Sequence, residues 1–375
     1  MRITARLELI KYTVLIGLLI SVAISYNLWA GQRWFPKAPL FEGWTGMVPP
    51  YDYVNLALLL IFILLAVFFR SNWSSILLIL FSMYLIMDDQ NRLQPWFFNY
   101  LLIVFVLLCY KKRVDDPNNY ITVFISLQLL VALIYIFSGI QKLNNAFVKD
   151  TYTWFIEPVY SHVSDRQKIN LMKFGSLVPY VEMIIGAGLL VKSMRFIFLP
   201  LIIFMHVFIL CMLGPMGKSY NYVVWPWNIV MMVLCLLLFA GNTRERYYSW
   251  TYLFKSGCFY LVIIFMLIAP VFSLFNRWPS YLSSSLYSGN TNSGDIILSD
   301  KALKSLPYYI RNFVVKNSDY NVLYVKAWCI TELKTPCFPE KPVFMQTCRY
   351  IREITNSDSS DVKIEFKERQ KLINF

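Results

Sequence analysis

Residues 121–143 read ITVFISLQLLVALIYIFSGIQKL, a largely apolar run that ends on a Ser-Gly step followed by Gln141 and Lys142. About 20 predominantly apolar residues carry a helix across the hydrocarbon core of a bilayer. The run is therefore predicted to be a transmembrane helix with a lysine at its far end. That lysine is open to two interpretations: an anchor whose ammonium group reaches the membrane interface, or a member of a functional site.

The composition extends the membrane prediction to the whole chain. Hydrophobic residues make up 57% of the 375 residues, charged residues make up only 15%, and the mean hydropathy is positive. Because soluble domains carry about 25% charged residues, the predicted fold class is an all-α polytopic membrane protein. The formal net charge of +13 arises mostly in short loops, where lysine and arginine set orientation. It therefore predicts no nucleic-acid partner.

Nine apolar segments are predicted to span the membrane. They are Tyr12–Trp29, Tyr53–Phe69, Trp73–Met87, Trp96–Tyr110, Ile121–Ile140, Leu177–Val191, Phe196–Leu213, Val224–Ala240 and Phe259–Phe275. Arg2, Arg6 and Lys11 precede the first segment, as basic residues precede a signal sequence. No small-residue cleavage site follows it, so it is predicted to remain as an uncleaved helix.

The loop charges predict an orientation with the N-terminus in the cytoplasm, because lysine and arginine collect on the cytoplasmic side. The predicted inner side holds Arg2, Arg6, Lys11, Arg70, Lys111, Lys112, Arg113, Lys192, Arg195, Arg244, Arg246 and Lys255, whereas the short outer loops hold only Arg33, Lys37, Arg92 and Lys218. An odd number of spans places the tail, residues 277–375, outside. The uninterrupted apolar spans favour an inner or plasma membrane. The lack of retention or lipidation signals favours a bacterium.

The tail differs in character from the rest of the chain. The predicted domains are a helical bundle at 1–276, a polar linker at 277–298 and a small α+β extracytoplasmic domain at 299–375. In this domain, Ser299-Asp300 is predicted to cap a helix through Leu306, and Tyr320–Thr331 is predicted to be a strand because of its β-branched and aromatic residues. A helix around Val343–Ile354 and a strand at Asp361–Phe366 follow. The domain is a candidate surface for an extracytoplasmic protein partner.

The seven cysteines divide between the two parts. Cys109, Cys211, Cys235 and Cys258 lie in or beside apolar segments and are predicted to pack as small core residues. The tail contains Cys329, Cys337 and Cys348, and an exterior location would allow two of the three to form a disulfide. With only His162 and His206 in the chain, no histidine-rich metal site is predicted.

The loop between the fifth and sixth segments is unusually long, at about 35 residues. Ser164 and Gln167 have the spacing of a capping box, in which each side chain accepts a backbone donor of the other. The residues that follow are predicted to form a short amphipathic helix at the membrane interface.

Four consecutive segments bring polar residues to a similar depth near the outer side. Lys142 ends the fifth, and Glu182, His206 and Asn228 lie within the next three. Singly, each has an ordinary explanation, such as an interfacial anchor, an ion-pair partner or a packing residue. Because polar groups in spans are costly and usually face a cavity or the bundle interior, together they predict an outward-facing pocket. The candidate catalytic residues are Lys142, His206 and Glu182, and the candidate ligand-binding residues are Gln141, Asn221, Trp225 and Asn228.

The stretch YIFSGIQKL, a following PYVE helix and a helix with MHVFILCMLGP resemble the transmembrane core of the vitamin K-dependent gamma-carboxylase-like (HTTM) superfamily. The resemblance covers roughly residues 121–240 and rests on Tyr135, Ser138, Gly139, Lys142 and His206. It implies that Lys142 deprotonates a reduced quinone, so that a quinone is the expected cofactor. This chain has Gln141-Lys142 where the family has a basic pair, and its tail is short. DoxX-like quinone-linked proteins have a similar helix end.

Three functional hypotheses remain. The first is a quinone-linked or carboxylase-like membrane enzyme with Lys142 as base, oriented by His206 and Asn228. The second is a protein that binds or transports a lipid or solute, although no inverted repeat is present in the sequence. The third is a DoxX-like or accessory subunit whose tail docks a partner and whose polar residues only stabilise the bundle.

Overall fold

The computed structural model describes residues 2–44, 46–69, 71–111, 116–241, 250–316 and 320–372. Most of these residues are helical, and all nine predicted apolar segments form helices. The helices of this part are α1 Ile3–Ile24, α2 Tyr26–Trp29, α3 Asp52–Phe68, α4 Asn72–Asp88, α5 Pro95–Leu108, α6 Pro117–Gln141, α7 Thr153–Ile156, α8 Asp165–Phe174, α9 Val178–Leu190, α10 Arg195–Leu213, α11 Val224–Phe239, α12 Trp250–Phe254, α13 Gly257–Val262 and α14 Ala269–Ser273. A π-helical turn at Ile263–Ile268 joins α13 to α14. Arg70, Lys112, Arg113, Arg244 and Arg246, predicted on the inner side, lie outside the described residues.

Local signals explain where several helices begin. The Ser71 hydroxyl accepts a hydrogen bond from the Trp73 amide at the start of α4, and the Asp116 carboxylate accepts one from Asn118 at the start of α6. Such caps satisfy amide groups that have no partner within the helix. The predicted capping box is confirmed, because Ser164 and Gln167 satisfy each other's backbone donors at the start of α8.

Length separates the apolar helices into two groups. Among the described residues, three are long and apolar enough to cross a membrane: Ile3–Ile24, Pro117–Gln141 and Lys192–Leu213, the last including the turn before α10. A fourth arises if α8 and α9, which meet at a bend of 48°, are taken as one span. The other apolar helices have fewer than 18 residues.

The helices alternate in direction, so their ends fall into two layers. In one layer the α2 residue Asn27 donates a hydrogen bond to the Glu332 carbonyl, and Gln94, just before α5, donates to the Pro336 carbonyl. In the other layer the Arg6 guanidinium donates to the Leu237 and Ala240 carbonyls at the end of α11. The first layer carries the whole C-terminal domain, and we call it the outer side.

The described part of the C-terminal domain combines four antiparallel strands with four helices. The strands are β1 Ser293–Leu298, β2 Val314–Lys316, β3 Asn321–Leu323 and β4 Val362–Lys367, in the sheet order β2-β3-β1-β4. The helices of the domain are α15 Asp300–Ser305, α16 Tyr308–Arg311, α17 Val325–Leu333 and α18 Lys341–Thr355. The predicted helices after Ser299 and around Val343–Ile354 are confirmed, as is the last strand. The buried apolar side chains of this domain form one cluster with those of the bundle.

Two expectations for the tail are wrong in part. Only Asn321–Leu323 of the predicted strand Tyr320–Thr331 is a strand, and α17 follows at once. The buried residues of α17 include Val325, Trp328 and Cys329, a helical spacing that the composition of the segment obscured. The polar stretch predicted as a linker is packed, because Ser283, Ser285 and Ser288 are buried, and β1 begins inside it. The domain boundaries stay a prediction.

Candidate functional site

The outer end of α6 places three polar side chains on one face of the helix. Tyr135, Ser138 and Lys142 are separated by three and four residues, a spacing that puts them on one side of a helix. The helix ends at Gln141, and Lys142 follows it with its amide bonded to the Gly139 carbonyl. A cation at this position interacts favourably with the negative end of the helix dipole.

Two glycines bring α6 and α9 into backbone contact. A Cβ atom on Gly139 would lie 2.4 Å from the Pro179 carbonyl oxygen, and one on Gly186 would lie 2.7 Å from the Ala132 carbonyl oxygen. Both distances are far below ordinary van der Waals contact, so only glycine allows this approach. The close packing sets Glu182 of α9 directly beside Lys142.

Lys142 and Glu182 form an ion pair inside the protein. The Lys142 Nζ atom lies 2.6 Å from Glu182 Oε2 and 2.6 Å from Ser138 Oγ. Only 10% of the lysine side chain and 9% of the glutamate side chain are exposed. Two buried charges have to be paired, because an unpaired one carries a desolvation penalty of several kcal/mol, on the order of the whole stability of a domain. The pair therefore gives each of the two buried charges a partner of opposite sign.

A second group of polar side chains lies deeper and is centred on His206. Its Nδ1 atom is 2.7 Å from Asn228 Oδ1, and its Nε2 atom is 2.6 Å from the Tyr135 hydroxyl oxygen. The Asn228 amide nitrogen donates to the Val224 carbonyl, which leaves Oδ1 as the acceptor. This arrangement assigns the proton to Nδ1 and makes Tyr135 the donor to Nε2.

The two groups form one cluster, which we call the outer polar cluster: Tyr135, Ser138, Lys142, Glu182, His206 and Asn228. Tyr135 and Lys142 share a face of α6, and the Glu182 carboxylate interacts electrostatically with both Tyr135 and His206. Each of the six comes from α6, α9, α10 or α11, or from the residue directly after α6. The cluster thus brings together four of the predicted site residues: Lys142, Glu182, His206 and Asn228.

The other predicted ligand-binding residues contact different partners. Gln141 donates to the Ser273 hydroxyl at the end of α14. Asn221 donates to the Tyr287 hydroxyl, which belongs to the packed stretch before β1, and the Trp225 indole donates to the Leu213 carbonyl. Asn221 and Trp225 therefore cover the outer end of α10 instead of reaching the outer polar cluster.

Residues near the C-terminus close the outer side beside Gln141. The Arg369 guanidinium donates to the Ser273 hydroxyl at 2.9 Å, so Ser273 receives donors from both Gln141 and Arg369. Asn292 and Asn290 accept hydrogen bonds from the backbone of residues 369 and 370. Since these partners are more than 75 residues apart in sequence, no local signal in the sequence predicts them.

The outer side also contains an ionic network that was not predicted from the sequence. The fully buried Arg92 guanidinium donates to Asp88 at 2.8 Å and to the Leu28 and Trp29 carbonyls, and Asp89 pairs with Arg33 at 2.5 Å. Burial alone would raise the pKa of Asp89, but the charges of Arg33 and Arg92 outweigh it and hold the pKa below 3.8. The short spacing of Asp88, Asp89 and Arg92 between two apolar segments is the signal that could have pointed to it.

A cavity of about 420 Å³ is lined mostly by residues of the C-terminal domain. Its lining includes Tyr220, Asp295, Tyr324, Lys326 and Phe344. Among the side chains predicted to line the intramembrane pocket, Lys142 bonds to Glu182 and His206 bonds to Asn228.

Comparison of the chain with protein-family models, with curated proteins and with solved structures gave no significant match.

Proposed function

We propose that the chain is a multi-pass membrane protein that crosses the bilayer nine times, with its N-terminus in the cytoplasm and its C-terminal domain outside. The alternating helix directions support this topology. The outward surfaces of the helices do so too, because large apolar side chains such as Phe68, Trp73, Phe196 and Phe204 are more than half exposed. Exposed apolar surface of this extent fits a lipid environment.

The shorter helices are compatible with that topology. A helix of 14 residues such as α5 is roughly 21 Å long at 1.5 Å per residue, less than the hydrocarbon core of about 30 Å. The outer end of α5 lies under the C-terminal domain, because Gln94 bonds to the Pro336 carbonyl. Protein covers this helix end where lipid would leave backbone groups without partners.

We further propose that the outer polar cluster binds a lipophilic ligand with oxygen acceptors, of which a quinone is the leading candidate. The observation that carries this proposal is the convergence of Lys142, Glu182, His206 and Asn228 in one buried polar cluster between α6, α9, α10 and α11. Intramembrane ionisable residues mark ligand or proton pathways more often than packing positions. The resemblance to HTTM proteins points to the same class of ligand.

The geometry favours a donor role for Lys142 over the role of a base. Lys142 Nζ already donates a hydrogen bond to Glu182, so the lysine can also donate one to a quinone oxygen and stabilise negative charge that develops there. A ligand that takes this place displaces Ser138 from the ammonium group. His206, with its proton on Nδ1, can accept a hydrogen bond at Nε2 from the hydroxyl of a reduced quinone only when the Tyr135 hydroxyl turns away.

The test is to identify the lipophilic molecules that copurify with the protein in mild detergent. Wild type is compared with the double variant Lys142→Met/Glu182→Met, in which neither charge is left unpaired, and with the surface-pair control Lys168→Met/Asp165→Met. We expect a quinone in wild type and control, and at least a tenfold loss in the double variant with its melting temperature retained. Equal lipid content in all three proteins would contradict the proposal.

A second candidate is an accessory subunit whose polar cluster only fixes helix packing. The favouring observation is that Lys142 Nζ, both His206 nitrogens and the Asn228 amide all have partners within the protein. In that case the double variant stays folded and no ligand is present in any of the preparations, with or without an added short-chain benzoquinone.

A further inference from the structure

The three cysteines of the C-terminal domain lie at two separate places. Cys329 is on α17, Cys337 follows that helix by four residues, and Cys348 is on α18. All three are buried, and all three are thiols in the structure. If a disulfide forms in this domain, the positions of these three thiols decide which two of them are paired.

The fold brings Cys329 and Cys337 close together. Cys329 Sγ lies 3.5 Å from the Thr335 carbonyl oxygen, two residues before Cys337, and the two thiols interact with each other. Cys348 lies instead on α18, where its charged neighbour is Arg352. Because disulfide geometry requires the two cysteines to be close in space, Cys329 and Cys337 are the pair that the fold favours.

The segment between the two cysteines holds much of the contact between domain and bundle. The Glu332 carboxylate accepts hydrogen bonds from the backbone amides of Trp34 and Phe35, and the Pro336 carbonyl accepts one from Gln94. We call residues 330–336 the docking loop. It begins at the end of α17 and reverses direction at Lys334, a non-glycine residue with φ of +61°.

We propose that Cys329 and Cys337 form a disulfide that closes the docking loop, while Cys348 remains a thiol. The inference rests on the proposed outer location of the domain, because disulfides persist in oxidising compartments. It goes beyond the proposed ligand site, since neither cysteine contacts the outer polar cluster. The disulfide restricts the unfolded loop and so stabilises the docked form.

The oxidant is a disulfide, either of a protein oxidoreductase or of a small molecule. One of the two cysteines, as its thiolate, attacks one sulfur of the oxidant, which forms a mixed disulfide and releases the first thiol. The sulfur of the other cysteine then attacks the cysteine sulfur of the mixed disulfide and releases the second thiol. The two cysteines lose two electrons and two protons, and the oxidant is reduced to two thiols that take up both.

The timing of the exchange follows from the burial of the two thiols. Because both sulfurs are buried once the domain has docked, we place the exchange during folding, before the docking loop meets the bundle.

The experiment is thiol mapping on protein from native membranes. Membranes are quenched with acid, all free thiols are alkylated under denaturing conditions, and the digested protein is analysed by mass spectrometry without reduction. We expect a cross-linked peptide pair containing Cys329 and Cys337, and alkylated Cys348. The pair should persist in Cys348→Ser, and reductant should lower the melting temperature of wild type but not of Cys329→Ser/Cys337→Ser.

Alkylation of both Cys329 and Cys337, or a cross-link that involves Cys348, would overturn the inference. The orientation is tested separately with Ser359→Cys, at an exposed position of the domain, by labelling intact cells with a membrane-impermeant maleimide. Labelled Ser359→Cys with free Cys329 and Cys337 refutes the disulfide alone. Unlabelled Ser359→Cys with free thiols refutes the proposed topology as well.

Discussion

The Lys142 ammonium and the Glu182 carboxylate lie 2.6 Å apart, on two helices whose backbones touch. Each charge is compensated by the other and not by solvent, because about nine-tenths of both side chains is buried. We therefore expect the effects of mutating Lys142 and Glu182 on the free energy of unfolding to be coupled.

Removing one member of the pair should be far more damaging than removing both. Lys142→Met leaves a buried carboxylate without its cation, and we expect a loss of about 3–5 kcal/mol in the free energy of unfolding. Lys142→Met/Glu182→Met should lose much less. The measurement is unfolding in detergent, with Lys168→Met as the control at an exposed pair. Additive losses in the double variant would contradict the coupling.

The contact between Tyr135 and His206 predicts a second coupling. Tyr135→Phe removes the hydroxyl that donates to Nε2, and a buried acceptor without a partner costs about 1–3 kcal/mol. In a His206→Phe background the same change should cost little, because the acceptor is gone. The double-mutant cycle is measured by thermal unfolding, and Tyr308→Phe, at an exposed tyrosine, serves as control. A cost of Tyr135→Phe that is the same in both backgrounds would refute the assigned hydrogen bond.

The glycines between α6 and α9 predict a position-dependent effect of alanine. Gly139→Ala places a methyl group 2.4 Å from the Pro179 carbonyl oxygen, so the helices must separate at a cost of about 1–3 kcal/mol. Gly257→Ala is the matched control, because a Cβ atom there meets nothing within 4 Å. That change should be neutral or stabilising by up to about 1 kcal/mol. Melting temperatures that fall equally in both variants would exclude the close approach as the cause.

The lowered pKa of Asp89 predicts how the free energy of unfolding depends on pH. Its pKa in the folded protein is below 3.8, because Arg33 and Arg92 favour the carboxylate. The stabilisation is therefore fully present above pH 3.8, the ordinary pKa of an aspartate, and is lost as the pH falls through the lower pKa of Asp89 in the folded protein. Asp89→Asn should lower stability at neutral pH and make the loss below pH 3.8 shallower. Unfolding is measured from pH 7 to pH 2, with Glu353→Gln as control; an unchanged acid profile in Asp89→Asn would contradict the assignment.

Local patterns in the sequence were sufficient for most helices. Apolar runs such as 121–140 and caps such as Ser164 with Gln167 depend only on neighbouring residues, and the structure places helices at both. The strand prediction was wrong at residues 325–331 because β-branched and aromatic residues also occur in buried helices. The helical spacing of the buried residues there fits the observed helix α17.

The candidate site was predicted as a set of residues and not as a geometry. Their similar predicted depth in the membrane indicated that Lys142, Glu182, His206 and Asn228 lie near one another. Depth alone does not show which of these groups bond to one another. The roles of Tyr135 as donor and of Arg369 at the outer side depend on contacts between distant parts of the chain. Whether the residues bind a ligand stays a prediction.

The backbone contact between α6 and α9 also determines how a molecule from the bilayer can reach Lys142. Glycines at both points of contact leave no gap for an acyl or isoprenoid chain, and separating the helices would break the ion pair. On the opposite side, α10 meets α6 through the side chains of His206 and Tyr135, which can rotate without moving either backbone. If the outer polar cluster binds a molecule from the bilayer, as proposed, we therefore expect it to enter from the α10 side, where the hydrogen bond between Tyr135 and His206 has to open.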